Sequence, residues 1–183
     1  MDARLPGAIR AFPQFAFVTP DPEPPSRMTA RVASLNVSNG GVPKLRVPSV
    51  EVTADGMAGD WQRNRKHHGG PDRALCLYSL ERLERLREEG HAVGPGVLGE
   101  NVTIAGLDWD MVTPGVRLRV GAVLVEVTSY TVPCRTIAHA FRFRRAGRVG
   151  QKGHPGWSRV YARVLVPGRV AEGDPVALVG DAG

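Results

Sequence analysis

A chain of 183 residues, 42% of them hydrophobic, suits one domain that buries roughly 70% of the surface its unfolded form exposes. Its 24 Lys and Arg against 18 Asp and Glu leave a net charge of +6, a balance that suits an anionic partner. Two cysteines do not make a disulfide framework, no run nears the ~18 apolar residues of a membrane span, and no basic segment followed by an apolar stretch opens the chain, so the expectation is a soluble, cytoplasmic protein with no membrane partner.

Residues 1–27 differ from the rest: Pro6, Pro13, Pro20, Pro22, Pro24 and Pro25 break regular structure, and the spacing predicts a flexible tail ahead of a domain over 28–183. Val32, Leu35 and Val37 predict a strand over 30–37, closed by Asn39-Gly40-Gly41. Pro43 and Pro48 flank an extended link, and Val50 and Val52 predict a second strand over 49–54, ending at the Asp55-Gly56 turn. Residues 57–72 have no periodicity and read as a long loop, of the kind that carries function.

Residues 73–78 predict a strand, and Ser79 caps a helix whose apolar stripe is Leu80, Leu83 and Leu86, stopped by Gly90. Shorter strands are predicted over 101–104, 116–120, 122–127, 159–166 and 175–179, separated by Gly and Pro turns, with one helical turn over 137–141. Many short strands and one clear amphipathic helix predict a mostly β, barrel-like domain with a few short helical turns.

Thr131-Val132-Pro133-Cys134-Arg135-Thr136 follows the most apolar of these strands. Pro133 bars Val132 from helical geometry, so the strand ends there and Cys134 falls on a turn. Arg135 supplies a permanent positive charge beside the thiol, which favours the reactive, metal-binding thiolate. The competing reading is a small buried core residue. Between Arg135 and Arg159 the basic residues are Arg135, Arg142, Arg144, Arg145, Arg148, Lys152 and Arg159, seven in all with no acid between them, a run that suits either a solvated face or a phosphate site.

Two loop clusters add chemistry. In Lys66-His67-His68-Gly69-Gly70-Pro71-Asp72-Arg73 the glycines allow close backbone approach, and His68 can carry a proton near neutral pH. Gly99-Glu100-Asn101 sets a carboxylate and an amide ahead of a strand, where a turn cap is the plain alternative. Zinc is a rival ligand for these His and Cys residues, but no Cys-x2-Cys or His-x3-His pair fixes them on one element. Signals for a serine hydrolase, a phosphate loop and a dinucleotide fold are missing from the sequence.

Together, Gly59-Asp60, His68-Gly69-Gly70 with Arg73-Ala74, Gly99-Glu100-Asn101-Val102-Thr103, Pro133-Cys134, residues 164–168 and Gly173-Asp174 resemble the MOSC domain, the C-terminal domain of molybdenum cofactor sulfurase. The resemblance implies a β-rich, barrel-like fold with a pocket for the molybdenum cofactor (molybdopterin). It implies Cys134 as a thiolate ligand to molybdenum or as a carrier of persulfide sulfur, and reduction of small N-hydroxylated substrates as the activity of some stand-alone members. Beside it, Cys134 and His68 are the candidate catalytic residues, and Gly69, Gly70, Arg73, Glu100, Asn101 and Arg135 the candidate cofactor-binding set. Pyridoxal phosphate is not expected, for want of a desulfurase domain, and no iron–sulfur cysteine set is present, so electrons or sulfur would come from a donor protein. A sulfur carrier for cofactor maturation, and a basic module for anions or, less well supported, nucleic acid, are the alternatives.

Overall fold

The computed structural model describes residues 29–61 and 69–180. The expected tail over 1–27 and the loop residues Lys66, His67 and His68 lie outside the described residues. No helix among the described residues is long and apolar enough to cross a membrane.

Eleven strands and one α-helix are described, the helix joined by short 3-10 turns. The strands are β1 (Arg31–Val37), β2 (Leu45–Val47), β3 (Ser49–Thr53), β4 (Gly56–Met57), β5 (Leu75–Ser79), β6 (Val102–Ala105), β7 (Arg117–Val120), β8 (Val123–Tyr130), β9 (Val160–Val166), β10 (Gly168–Ala171) and β11 (Val176–Val179). Eight of them form one sheet in the order β11-β7-β8-β9-β5-β6-β1-β2, and β10-β3-β4 form a second. All pairs are antiparallel except β5 with β6, a parallel pair that needs a crossover.

Helix α1 (Leu80–Glu88) begins that crossover. Ser79 caps it, its side chain accepting from the Arg82 amide, which contributes about 1 kcal/mol. Leu83 and Leu86 are fully covered against the sheet, each stabilising the fold by roughly 1.5–3 kcal/mol.

The large sheet curls without closing. The N-terminal half of β1 meets the segment before β11 through an Arg31–Pro175 bridge, with Val32 N–H donating to Asp174 O and Val176 N–H to Ala30 O. The C-terminal half of β1 pairs instead with β2, so the barrel-like form has no continuous closing ladder. Alternating Val123, Val125 and Val127 of β8 meet Val160 and Ala162 of β9 and Leu75 and Leu77 of β5 in the core between the layers.

Gly96 marks where backbone geometry is demanding. At φ +78, an added Cβ would lie 2.5 Å from the Lys44 carbonyl oxygen and 3.2 Å from the Asn36 amide. Gly96→Ala therefore loses stability, by about 1–3 kcal/mol from the backbone alone and more from the collision. Urea unfolding checks this, and an unchanged midpoint would contradict it.

Candidate active-site cleft

One row of residues crosses the large sheet and builds a cleft at its edge. Asn36 of β1 donates its N–H to the Asn101 carbonyl, and the Asn101 N–H donates to Cys76 O of β5. Cys76 lies opposite Tyr161 of β9, and the Thr131 N–H donates to Arg159 O just before β9. The cleft that opens over this row has a volume of about 560 Å³. Its chemistry comes from Lys44, Arg73, Cys76, Asn101, Arg159 and Tyr161, with Trp61 and Leu98 among its apolar walls.

A buried polar network fixes the floor. Asp60 Oδ2 accepts from Lys44 Nζ at 2.5 Å and from Asn101 Nδ2 at 2.9 Å, while its Oδ1 accepts the Ser38 amide at 2.8 Å. Asn101 Oδ1 accepts the Cys76 amide at 3.1 Å, so the side chain links two strands and the loop bearing Asp60. The Lys44 and Asp60 side chains keep only 8% and 2% of their exposure, and a carboxylate so enclosed is tolerable because all three donors reach it.

Glu100 lies beneath this floor, with none of its surface exposed. Its Oε1 accepts from the Gly96 amide at 2.7 Å and the Thr103 hydroxyl at 3.3 Å, while Oε2 has no partner among the described residues. Burial pushes its carboxyl above the usual range, against the pull of its own amide, the Gly96 amide and the Arg159 charge. Arg159 is itself buried and donates from Nη1 to the Leu98 carbonyl, which holds its guanidinium at the cleft wall.

Cys134 is not in the cleft lining; it stands next to it, half-covered, two residues before Thr136, where the chain leaves β8 and enters a 3-10 turn over Arg135–Ala140. Partial burial opposes ionisation. The Thr136 hydroxyl, the Thr136 and Ile137 amides and the Arg159 charge outweigh it and hold the thiol below its ordinary range. Thr136 and Ile137 also line the cleft, which ties the sulfur's hydrogen-bond partners to that space. Cys76 contrasts with it: burial pushes its thiol up to about 11. Burial likewise moves the Tyr161 phenol to about 12, so it remains a hydrogen-bond donor at neutral pH.

Alkylation separates the two thiols. With a lowered pKa, the thiolate fraction of Cys134 rises at lower pH, so its iodoacetamide reaction has a midpoint below that of a free thiol measured alongside, while Cys76 stays unmodified. Thr136→Val moves the Cys134 midpoint upward. A Cys134 midpoint at or above that of a free thiol would sink this reading of the turn.

The sequence-derived candidates divide by position. Arg73 and Asn101 share the cleft, and the Arg73 guanidinium lies 5.6 Å from the centre of the Tyr161 ring. Glu100 is corrected from a ligand-facing group to a support under the lining, because it is wholly enclosed. Arg135 is likewise not in the cleft lining; it points to the outer side of Cys134, among other cations. Gly69 and Gly70 do not line the cleft, and Gly70, at φ +93, accepts the Arg73 N–H at 2.9 Å and so shapes the turn that carries Arg73. His68 lies outside the described residues. Lys44 and Tyr161 were missed, and Arg159 was noted only as the last member of the basic run. Asp60 was noted only within its Gly-Asp pair, and its place in a long glycine-bearing loop was the available signal for the network.

The chain is 32% identical to YflK of Bacillus subtilis over 133 residues, covering 72% of this chain and 59% of that protein. It is 33% identical to YiiM of Escherichia coli over 133 residues, covering 70% and 58%. The chain thus spans less than two thirds of the length of these curated relatives. The crystal structure of YiiM from Geobacillus stearothermophilus superposes with a TM-score of 0.65 at 28% identity, covering 82% of this chain and 75% of that one. That of YiiM from Escherichia coli gives 0.61 at 28% identity, covering 84% and 71%. The family model of the MOSC domain matches residues 64–177, and with these relatives it shows that the chain belongs to the MOSC domain family, the family of the molybdenum cofactor sulfurase C-terminal domain.

Proposed function

We propose that the cleft beside Cys134 binds the molybdenum cofactor and that the chain reduces N-hydroxylated small molecules. The observation that carries this reading is a thiol held below its ordinary range by Thr136 and Ile137, two residues that line a cleft walled by Lys44, Arg73 and Arg159. The donor set fits: a soft thiolate suits a thiophilic metal, and guanidinium and ammonium groups suit the pterin's phosphate. Cys134 would ligate the metal, Arg73 and Arg159 would face the anionic end, and the Tyr161 hydroxyl would donate a hydrogen bond within the cleft.

When bound, the cofactor supplies the two-electron chemistry. Cleaving an N–O bond consumes two electrons and two protons and releases an amine and water; the electrons come from a reduced donor protein. The chain's part is to hold the thiolate, orient the ligands and deliver protons, a role assigned here to His68. His68→Gln should lower kcat by about 10²-fold while leaving molybdenum content unchanged. Loss of metal in that variant would assign His68 to binding instead.

A second reading has a specific observation behind it. Cys134 borders an open outer surface, which a persulfide carrier needs for a donor enzyme to reach its sulfur. Incubation with a cysteine desulfurase and cysteine, followed by intact mass analysis, separates the two. Added sulfur mapped to Cys134 supports the carrier, and an unchanged mass removes it.

A further inference from the structure

Cys134 itself lines a second space, next to the cleft that its neighbours Thr136 and Ile137 line. Its outer side opens on a broad concavity of about 780 Å³ whose lining includes Arg135, Arg144, Arg145 and Lys152 and no carboxylate. None of these four cations forms an ion pair with a described residue. Four positive charges gathered in one hollow repel each other, so an anion that enters gains attraction and relieves that repulsion.

Backbone geometry points the same way. Phe143 and Arg144, at φ 54 and 55, are the two non-glycine residues with positive φ among the described residues. Core packing does not demand this turn, since Phe143 is 80% exposed, while its flanks are anchored by buried Phe141 and Ala146. Strain held on an exposed turn marks a segment fixed for presentation, and what it presents is Arg144 and Arg145. Arg145, Gly147 and Gly153 also line an adjoining cleft that holds Phe143 and His154, so the hollow continues past a single anionic group.

We infer that the substrate is an N-hydroxylated small molecule carrying a phosphate group, with the phosphate held by Arg144, Arg145 and Lys152 on the outer side of Cys134. This rests on the reductase reading. Paired guanidinium forks and an ammonium suit the several oxygens of a phosphate better than a single carboxylate. The concavity favours a small ligand over an acidic protein, which would need a broad face. The phosphate takes no part in bond breaking and serves to position the N–O bond.

The test uses the cofactor-loaded full chain with two matched probes, an N-hydroxylated cytidine and its monophosphate ester, measured by calorimetric binding and by turnover. The ester should bind about tenfold or more tightly than the nucleoside. The preference should vanish in the Arg144→Ala, Arg145→Ala double variant and persist in Arg119→Glu, which changes an exposed charge on β7. Equal binding of the two probes overturns the inference, as does binding of polyglutamate without preference between them. Preference without turnover of either probe removes the reductase reading and keeps the anion site; turnover without preference does the reverse. Thermal melting of the double variant, which alters only exposed side chains, verifies that it is folded.

Discussion

Cys134→Ser should abolish reduction of N-hydroxylated substrate, by a factor on the order of 10³ or more, equivalent to about 4 kcal/mol of transition-state stabilisation. A serine hydroxyl stays protonated at neutral pH and is a hard, poor ligand for a thiophilic metal, although it keeps the size and the turn. The sulfur is half-covered, and a serine oxygen can accept from the same Thr136 and Ile137 donors, so stability should change by no more than about 1 kcal/mol. Loss of activity with an unaltered unfolding midpoint is therefore the expected pair of results. A variant retaining more than about a tenth of wild-type kcat/KM would show that the sulfur is not at the reacting centre.

Asp60→Ala should give the largest loss of stability, about 3–5 kcal/mol, because it leaves a buried ammonium without its partner. Lys44 Nζ, Asn101 Nδ2 and the Ser38 amide all lose the acceptor they share, and Lys44 retains only 8% of its exposure. Adding Lys44→Met should recover part of the loss, since the uncompensated charge is then gone. Urea unfolding of the two single variants and the double variant measures this coupling. If the double variant is less stable than Asp60→Ala by the full cost of Lys44→Met, the pair is not coupled and the network is not what holds the floor.

The parts of the fold legible in the sequence are those where burial writes a period. Val50 and Val52 in β3 and the Val123, Val125, Val127 series in β8 alternate because one face of each strand is covered, whereas in β1 a register shift between Val32 and Ser34 breaks the period and Ser34, Leu35 and Asn36 are all buried. β2 was read as a link because Leu45 and Arg46 are exposed and Pro43 and Pro48 bracket it, so pairing with β1 alone makes it a strand. β10 begins at the Pro167-Gly168 turn signal and is defined by its register with β3, which no local pattern encodes. The barrel-like curl was legible in the number of short strands; the missing closure depends on how β2 and the 173–176 segment share one side of β1.

Of the cleft lining, Arg73 and Asn101 were legible because each sits in a glycine-bearing motif with a chemical reason to be there, and Cys134, outside that lining, stood out by its Pro-Cys-Arg turn. Lys44 and Arg159 carry no such local mark. A single cation in a chain with 24 Lys and Arg stands out only when burial removes it from water, and burial is a property of the fold. Glu100 shows the converse: a carboxylate in a promising motif proved to support the Gly96 turn from below.

Whether Cys134 holds the metal is tested most directly by molybdenum and pterin analysis of the chain purified from a cofactor-producing host, beside its Cys134→Ser variant. Near-stoichiometric molybdenum and pterin in the wild type, with molybdenum lost from the variant, is the outcome that follows from a thiolate ligand beside the cleft. Equal molybdenum in both proteins would contradict it.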